Sequence, residues 1–350
     1  MREQLRVHVP EGYVLPQQWE ARISDLLAAE ADALRLLICG PPDCGKATLA
    51  RIIASLYARA WVCVDLQACY DTPETVTREV FRQRVWRQLV DGLAEHLSLS
   101  TPGGALRRTL GDALEVDIFG HVNEIEATMI IVENADCILG APWAFEVYLE
   151  MRDLVERQAT SLRFAGHHAR LSWIFTSALD AGILSAEIPP EYSPFNNLNP
   201  ITVCDLSMLD MYALRDLVSR GLGDVDVAAL HECVAGHAFL SRALLPLARG
   251  LSGIRSMGRR LQELLQRSSV AAAHLNGLAR ALEADPILMR AFRSYGKGLR
   301  ALLGRAREAD VKARYNLIRM GLLVQDAPDG WVVRNALYQG LRNGDFASDS

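Results

Sequence analysis

The chain has 350 residues, of which 50% are hydrophobic and 23% charged, with a formal net charge of −5. This is the composition of a globular protein with room for two or three domains. No apolar run approaches the roughly 18 residues that span a membrane, and the seven cysteines contain no CxxC pair, which argues against a disulfide scaffold. The N-terminal residues lack a signal-peptide pattern, so we expect a cytoplasmic protein.

In chain order, residues 1–33 form an N-terminal lead-in, predicted to be extended and then helical. Over 34–206, short apolar runs alternate with amphipathic stretches. The five predicted strands are 34–39, 61–66, 127–136, 170–178 and 201–206. Buried strands that alternate with helices are typical of a parallel sheet covered by helices, which predicts an α/β core.

From residue 207 the pattern becomes helical. The predicted helices are 207–221, 226–235, 237–250, 255–268 and 270–284, which together make an all-helical lid over 207–285. Residues 286–342 then predict helices followed by a hairpin that turns at Asp329-Gly330, the pattern of a winged helix. The last residues, 343–350, are predicted to be a disordered tail.

The stretch CGPPDCGKATLA, residues 39–50, matches Gly-x-x-x-x-Gly-Lys at Gly40, Gly45 and Lys46. It lies between a predicted strand and a predicted helix, where loop N–H groups and the helix dipole favour phosphate. The lysine would reach the β- and γ-phosphates of ATP or ADP. The candidate nucleotide-contacting residues are Gly40, Pro41, Pro42, Asp43, Cys44, Gly45, Lys46, Ala47 and Thr48.

The magnesium-handling positions depart from the usual pattern. The residue after the lysine normally supplies a hydroxyl to the ion, and here it is Ala47, with Thr48 one position further on. At the end of the third strand Glu133 keeps a carboxylate, whereas Asn134 replaces the acid that activates water. Mg²⁺ would therefore depend on Thr48 and Glu133, and the candidate catalytic residues are Glu133, Asn134 and Thr176.

The segment 193–250, with its "SPFN" loop and "GHAFL" motif, resembles AAA+ and STAND-type P-loop ATPases, above all the bacterial AAA-like group related to STAND proteins. The resemblance implies a P-loop core, a helical lid and a C-terminal winged helix. It places His237 and Arg242 in a lid sensor that faces the nucleotide. Ala238 stands where the family has proline.

These observations favour a nucleotide-gated regulatory switch with weak or absent hydrolysis. By the resemblance, it would control a separate protein effector, or its own assembly, in bacterial signalling or defence. Two alternatives remain open: an active ATPase that binds DNA, and a non-enzymatic scaffold with a vestigial site. DNA binding is suggested by residues 251–320, which hold 14 basic against 5 acidic side chains. The basic residues within 290–319 are Arg290, Arg293, Lys297, Arg300, Arg305, Arg307, Lys312, Arg314 and Arg319.

Overall fold

The computed structural model describes residues 33–70, 76–96, 126–156, 165–168, 170–295, 308–327 and 330–343, with the single positions 23, 114, 118 and 119. Their contacts divide into two compact units. Among the described residues, the first unit holds Ile23, 33–40 and Lys46–Val203. The second unit holds the short loop Pro41–Gly45 and everything from Cys204 onward. The glycine loop therefore contributes its middle residues to the C-terminal unit.

The first unit is built on a five-stranded sheet. Its strands are β1 (Arg35–Cys39), β2 (Ala60–Asp65), β3 (Thr128–Glu133), β4 (Leu171–Ser177) and β5 (Asn199–Thr202). They lie in the order β2-β3-β4-β1-β5, and every neighbouring pair is parallel. All residues of β3 and β4 are buried, as expected of strands that helices cover on both faces.

Helices connect the strands of this sheet. They are α1 (Lys46–Tyr57), α2 (Leu66–Cys69), α3 (Arg78–His96), α4 (Ala144–Glu156), α5 (Ala165–His168) and α6 (Ala181–Glu187). Helix α1 buries Leu49, Ile52 and Ile53 on one face, the spacing of an amphipathic helix on a sheet. Because β1 leads directly into the glycine loop and α1, the sheet fixes both ends of that loop.

The second unit is mainly helical. Its helices are α7 (Met208–Val218), α8 (Asp224–Val234), α9 (Ala238–Leu244), α10 (Met257–Arg267), α11 (Ser269–Ala284), α12 (Pro286–Ser294), α13 (Glu308–Arg319) and α14 (Ala336–Asn343). An antiparallel pair, β6 (Leu323–Ala327) and β7 (Gly330–Val333), lies between the last two helices. The single helix predicted over 237–250 is shorter in the structure: α9 ends at Leu244, because Pro246 has no N–H to continue the ladder. Two 3₁₀ turns follow, at Leu245–Leu247 and Leu251–Gly253.

The predicted α/β core and the helical region that follows it are confirmed. Strand β5 is shifted toward the N-terminus, at Asn199–Thr202 instead of 201–206, and β3 ends at Glu133, where Asn134 takes a positive φ of 57°. Three predicted features lie outside the described residues: the lead-in helix apart from Ile23, the turn residue Asp329, and the tail 343–350 apart from Asn343, which is the last residue of α14. The winged helix stays a prediction. Among the described helices, none is long and apolar enough to cross a membrane.

Candidate functional site

The glycine loop between β1 and α1 has an unusual backbone. Gly40, Asp43 and Gly45 all have positive φ, at 155°, 59° and 98°. Two of these positions are glycine, which adopts such angles without steric cost, and aspartate is among the few other residues that tolerate the left-handed region. The loop therefore has the backbone freedom to curve around a ligand at the N-terminus of α1.

Lys46 is the first residue of α1 and is buried, with 9% of its surface exposed. Its ammonium donates a hydrogen bond of 2.6 Å to the Gly40 carbonyl oxygen. A buried ammonium at the start of a helix concentrates positive charge where the helix dipole is also positive. This arrangement favours an anion beside the loop. The next two residues, Ala47 and Thr48, are partly exposed.

The Glu133 carboxylate, at the end of β3, is held by an arginine. Arg51 of α1 donates from Nη2 to Glu133 Oε1 at 2.9 Å, and the Glu133 side chain is only 11% exposed. Partial burial alone would lower the pKa of Arg51, but the Glu133 charge and hydrogen bonds to Cys63 and Glu133 raise it above its ordinary value. A fixed cation thus already neutralises the carboxylate that was predicted to handle Mg²⁺.

Cys63, on the neighbouring strand β2, belongs to the same cluster. Burial, followed by the nearby Glu133 charge, raises the pKa of its thiol to about 12. The thiol is therefore protonated at neutral pH and is a poor nucleophile. Sequence reasoning missed both Arg51 and Cys63, because neither belongs to a motif.

The other strand-end candidates form a polar network. The Asn134 backbone N–H donates to Thr176 Oγ1 at 3.1 Å, and the Asn134 side-chain amide donates to Asp65 Oδ1 at 2.9 Å. Thr176 is 2% exposed. Asp136 is buried and accepts the Ala178 N–H at 2.9 Å. The structure thus brings Glu133, Asn134 and Thr176 to one edge of the sheet, where Thr176 and Asp136 bind neighbouring backbone amides.

In the second unit, the "GHAFL" segment begins at a glycine that cannot be replaced without strain. Gly236 has φ 73°, and a Cβ there would lie 2.0 Å from the Leu206 carbonyl oxygen. The Leu206 N–H donates to the Gly236 carbonyl at 2.8 Å. Glycine therefore allows the chain before α7 to pass directly against the start of α9.

His237, the residue before α9, is 1% exposed. Its Nε2 lies 2.9 Å from the Tyr338 hydroxyl, and the same hydroxyl lies 2.8 Å from His274 Nε2. Burial, and then the Arg334 and His274 charges, lower the pKa of His237 to about 2, so the ring is neutral. Arg242, which was predicted to belong to the lid sensor together with His237, lies on α9 and is exposed.

Arg334 follows β7 and is a functional candidate that the sequence did not reveal. Its side chain is fully buried; Nε donates to Asp205 at 2.8 Å and Nη2 binds the other carboxylate oxygen. The remaining nitrogen, Nη1, donates to the Pro42 carbonyl of the glycine loop at 2.9 Å. One guanidinium therefore holds the loop segment Pro41–Gly45 to the C-terminal hairpin within the second unit.

No protein-family model matches the sequence, and no curated protein matches it. Among solved structures, the Walker-type ATPase PABY2304 of Pyrococcus abyssi is similar at 14% identity with a TM-score of 0.61, covering 95% of this chain and 98% of that one. An ORC1 protein of Aeropyrum pernix, solved in complex with DNA, is similar at 14% identity with a TM-score of 0.48 over 97% and 95% of the two chains. A STAND protein of Pyrococcus horikoshii with a tetratricopeptide repeat sensor gives 12% identity and a TM-score of 0.42 over 96% of this chain and 43% of that one. The first likeness shows the fold, and the two weaker ones add no argument. The chain therefore has the α/β fold of P-loop NTPases, followed by a helical C-terminal region.

Proposed function

We propose that this protein is a nucleotide-binding regulatory switch of the AAA+/STAND type, which binds ATP or ADP and hydrolyses ATP slowly or not at all. Phosphate binding is supported by the positive-φ loop and by buried Lys46 at the start of α1. The fold shared with the Walker-type ATPase of P. abyssi supports the same class of ligand.

The proposal that ATP is hydrolysed slowly or not at all rests on one observation, the ion pair between Arg51 and Glu133. A divalent ion handled by Glu133 would have to displace the guanidinium or share the carboxylate with it. Ala47 has no hydroxyl to compensate, and the Asn134 amide cannot accept a proton from water. The phosphate-binding loop is intact, whereas the positions that would bind Mg²⁺ are altered. This combination supports nucleotide binding without efficient turnover.

A protein of this kind would act through its nucleotide state. A ligand that binds only one of two arrangements, at 100-fold over its dissociation constant, favours that arrangement by about 2.7 kcal/mol. We propose that this change controls a separate protein effector or self-assembly. Light scattering with ATP, with ADP and without nucleotide tests the assembly part directly.

The central test is isothermal titration with ATP and ADP, each with Mg²⁺ and with EDTA, followed by a phosphate-release assay. We expect binding in both conditions and little phosphate release. Lys46→Ala should abolish binding, whereas Lys312→Ala, at an exposed lysine on α13, is the matched control and should bind normally. Absence of binding to the unmodified protein would refute the proposal, and rapid Mg²⁺-dependent turnover would favour the active-ATPase alternative.

A second candidate function, DNA binding, is favoured by two exposed arginines. Arg290 and Arg293 lie one turn apart on α12 and line the same surface depression. Fluorescence anisotropy with duplex DNA tests this function. Replacing both arginines by alanine should reduce the slope of log affinity against log salt by roughly 2, while Arg220→Ala, at another exposed arginine, should leave it unchanged. An unchanged slope in the double variant would show that this surface does not bind DNA.

A further inference from the structure

Three side chains of the second unit converge on one point. Asp43 of the glycine loop, His237 before α9 and His274 of α11 each offer a ligand atom, and these atoms all lie within 4.8 Å of one another. All three residues belong to the same compact unit. The loop backbone presents Asp43 in the left-handed conformation, with an exposed side chain.

The two imidazoles are oriented by one hydroxyl. Tyr338 Oη contacts Nε2 of His237 at 2.9 Å and Nε2 of His274 at 2.8 Å. Nδ1 of His237 is buried and has no hydrogen-bond partner among the described residues. A buried polar atom without a partner costs free energy, and a bound cation would satisfy it. Histidines that bind metals usually donate their other ring N–H to a neighbouring acceptor, and Tyr338 Oη can accept from both rings.

The charges nearby are compatible with a cation. Arg334 is a positive charge near the two histidines, but Asp205 neutralises it through two hydrogen bonds. Asp43 remains as the anionic member of the cluster.

We propose that Asp43, His237 and His274 form a binding site for a divalent transition-metal ion of the Zn²⁺ class, with the Tyr338 hydroxyl orienting both imidazoles. Two imidazoles and one carboxylate suit Zn²⁺, Co²⁺ or Fe²⁺, whereas Mg²⁺ and Ca²⁺ prefer oxygen ligands alone. Three protein ligands leave a coordination position for water or another oxygen donor. Asp43 and His237 are also predicted to face the nucleotide, so the metal site shares residues with the proposed switch, but binding of the metal ion does not itself require nucleotide.

The test uses the full chain after dialysis against a chelator, in a Cys204→Ser background that removes an exposed thiol as a competing ligand. Zn²⁺ is titrated by calorimetry, and Co²⁺ is titrated by its visible absorption. We expect one ion per chain and a Co²⁺ spectrum of imidazole and carboxylate ligation. Asp43→Asn and His274→Gln should each weaken binding by at least about 100-fold, and Tyr338→Phe by about 10- to 100-fold.

His167→Gln, at a histidine of α5 outside the cluster, is the matched control and should bind Zn²⁺ normally. Circular dichroism establishes that each variant is folded. Because Asp43 and His274 lie at exposed and half-buried positions, these two variants test the site even if changes at the buried residues prevent folding. Stoichiometric binding that survives both would overturn the proposal, as would no binding to the parent protein. ATP binding by the same proteins is measured in a separate titration. A parent protein that binds ATP but not Zn²⁺ refutes the metal site alone, and one that binds Zn²⁺ but not ATP refutes the switch alone.

Discussion

The buried ion pair between Arg334 and Asp205 offers the sharpest test of how the second unit is held together. Replacing Arg334 by methionine keeps most of the side-chain volume but removes three hydrogen bonds, two to Asp205 and one to the Pro42 carbonyl. The carboxylate left behind is only 17% exposed. Breaking one partner of a buried pair costs about 3–5 kcal/mol.

Because Asp205 retains some exposure, we expect the loss for Arg334→Met at the lower end, about 3 kcal/mol. Replacing both partners, with Arg334→Met and Asp205→Leu together, removes the uncompensated charge. The double variant should therefore be more stable than Arg334→Met alone by about 1–2 kcal/mol. The double variant should still be less stable than the unmodified protein, because the Pro42 carbonyl loses its hydrogen-bond donor.

Urea unfolding followed by far-UV circular dichroism measures these differences. The matched control is Arg59→Met, which breaks a pair with Glu126 whose side chains are 76% and 64% exposed and should cost less than about 1 kcal/mol. If Arg334→Met is no more destabilising than this control, the buried guanidinium does not hold the unit together. If the double variant is as unstable as the single one, the loss does not come from an unpaired carboxylate.

Two further predictions concern backbone space and the magnesium position. Gly236→Ala should destabilise the protein by at least about 2 kcal/mol, because the new methyl group would overlap a backbone carbonyl at a positive φ, and thermal unfolding measures the loss. Gly253→Ala has open space around its Cβ and should change stability little; equal effects would contradict the steric argument. Ala47→Thr restores the missing hydroxyl and should make ATP affinity depend more strongly on Mg²⁺, which calorimetry with and without EDTA measures. The same Mg²⁺ dependence in Ala47→Thr and in the unmodified protein would show that this position does not reach the ion.

The sequence alone determined the local elements of this protein. The short, mainly apolar run LRLLIC became β1, which is buried from Leu36 to Cys39, as expected of a strand inside a parallel sheet. The run WVCVDL became β2, which lies at the edge of the sheet and buries Val62 and Val64. The glycine loop was equally readable, because its chemistry depends on residues adjacent in the chain. So was the hairpin near the C-terminus, where a turn signal separates two strand-like runs.

Only the tertiary structure decided the contacts that join distant parts of the chain. Arg334 and Pro42 are 292 residues apart, and Arg51 and Glu133 are 82 apart. No periodicity or spacing carries such a pairing, because a guanidinium in an arginine-rich chain has many acidic and carbonyl partners to choose from. The sequence therefore predicted a phosphate cradle with altered magnesium positions. Packing decided which cation neutralises Glu133, and which residues of the second unit gather around Asp43.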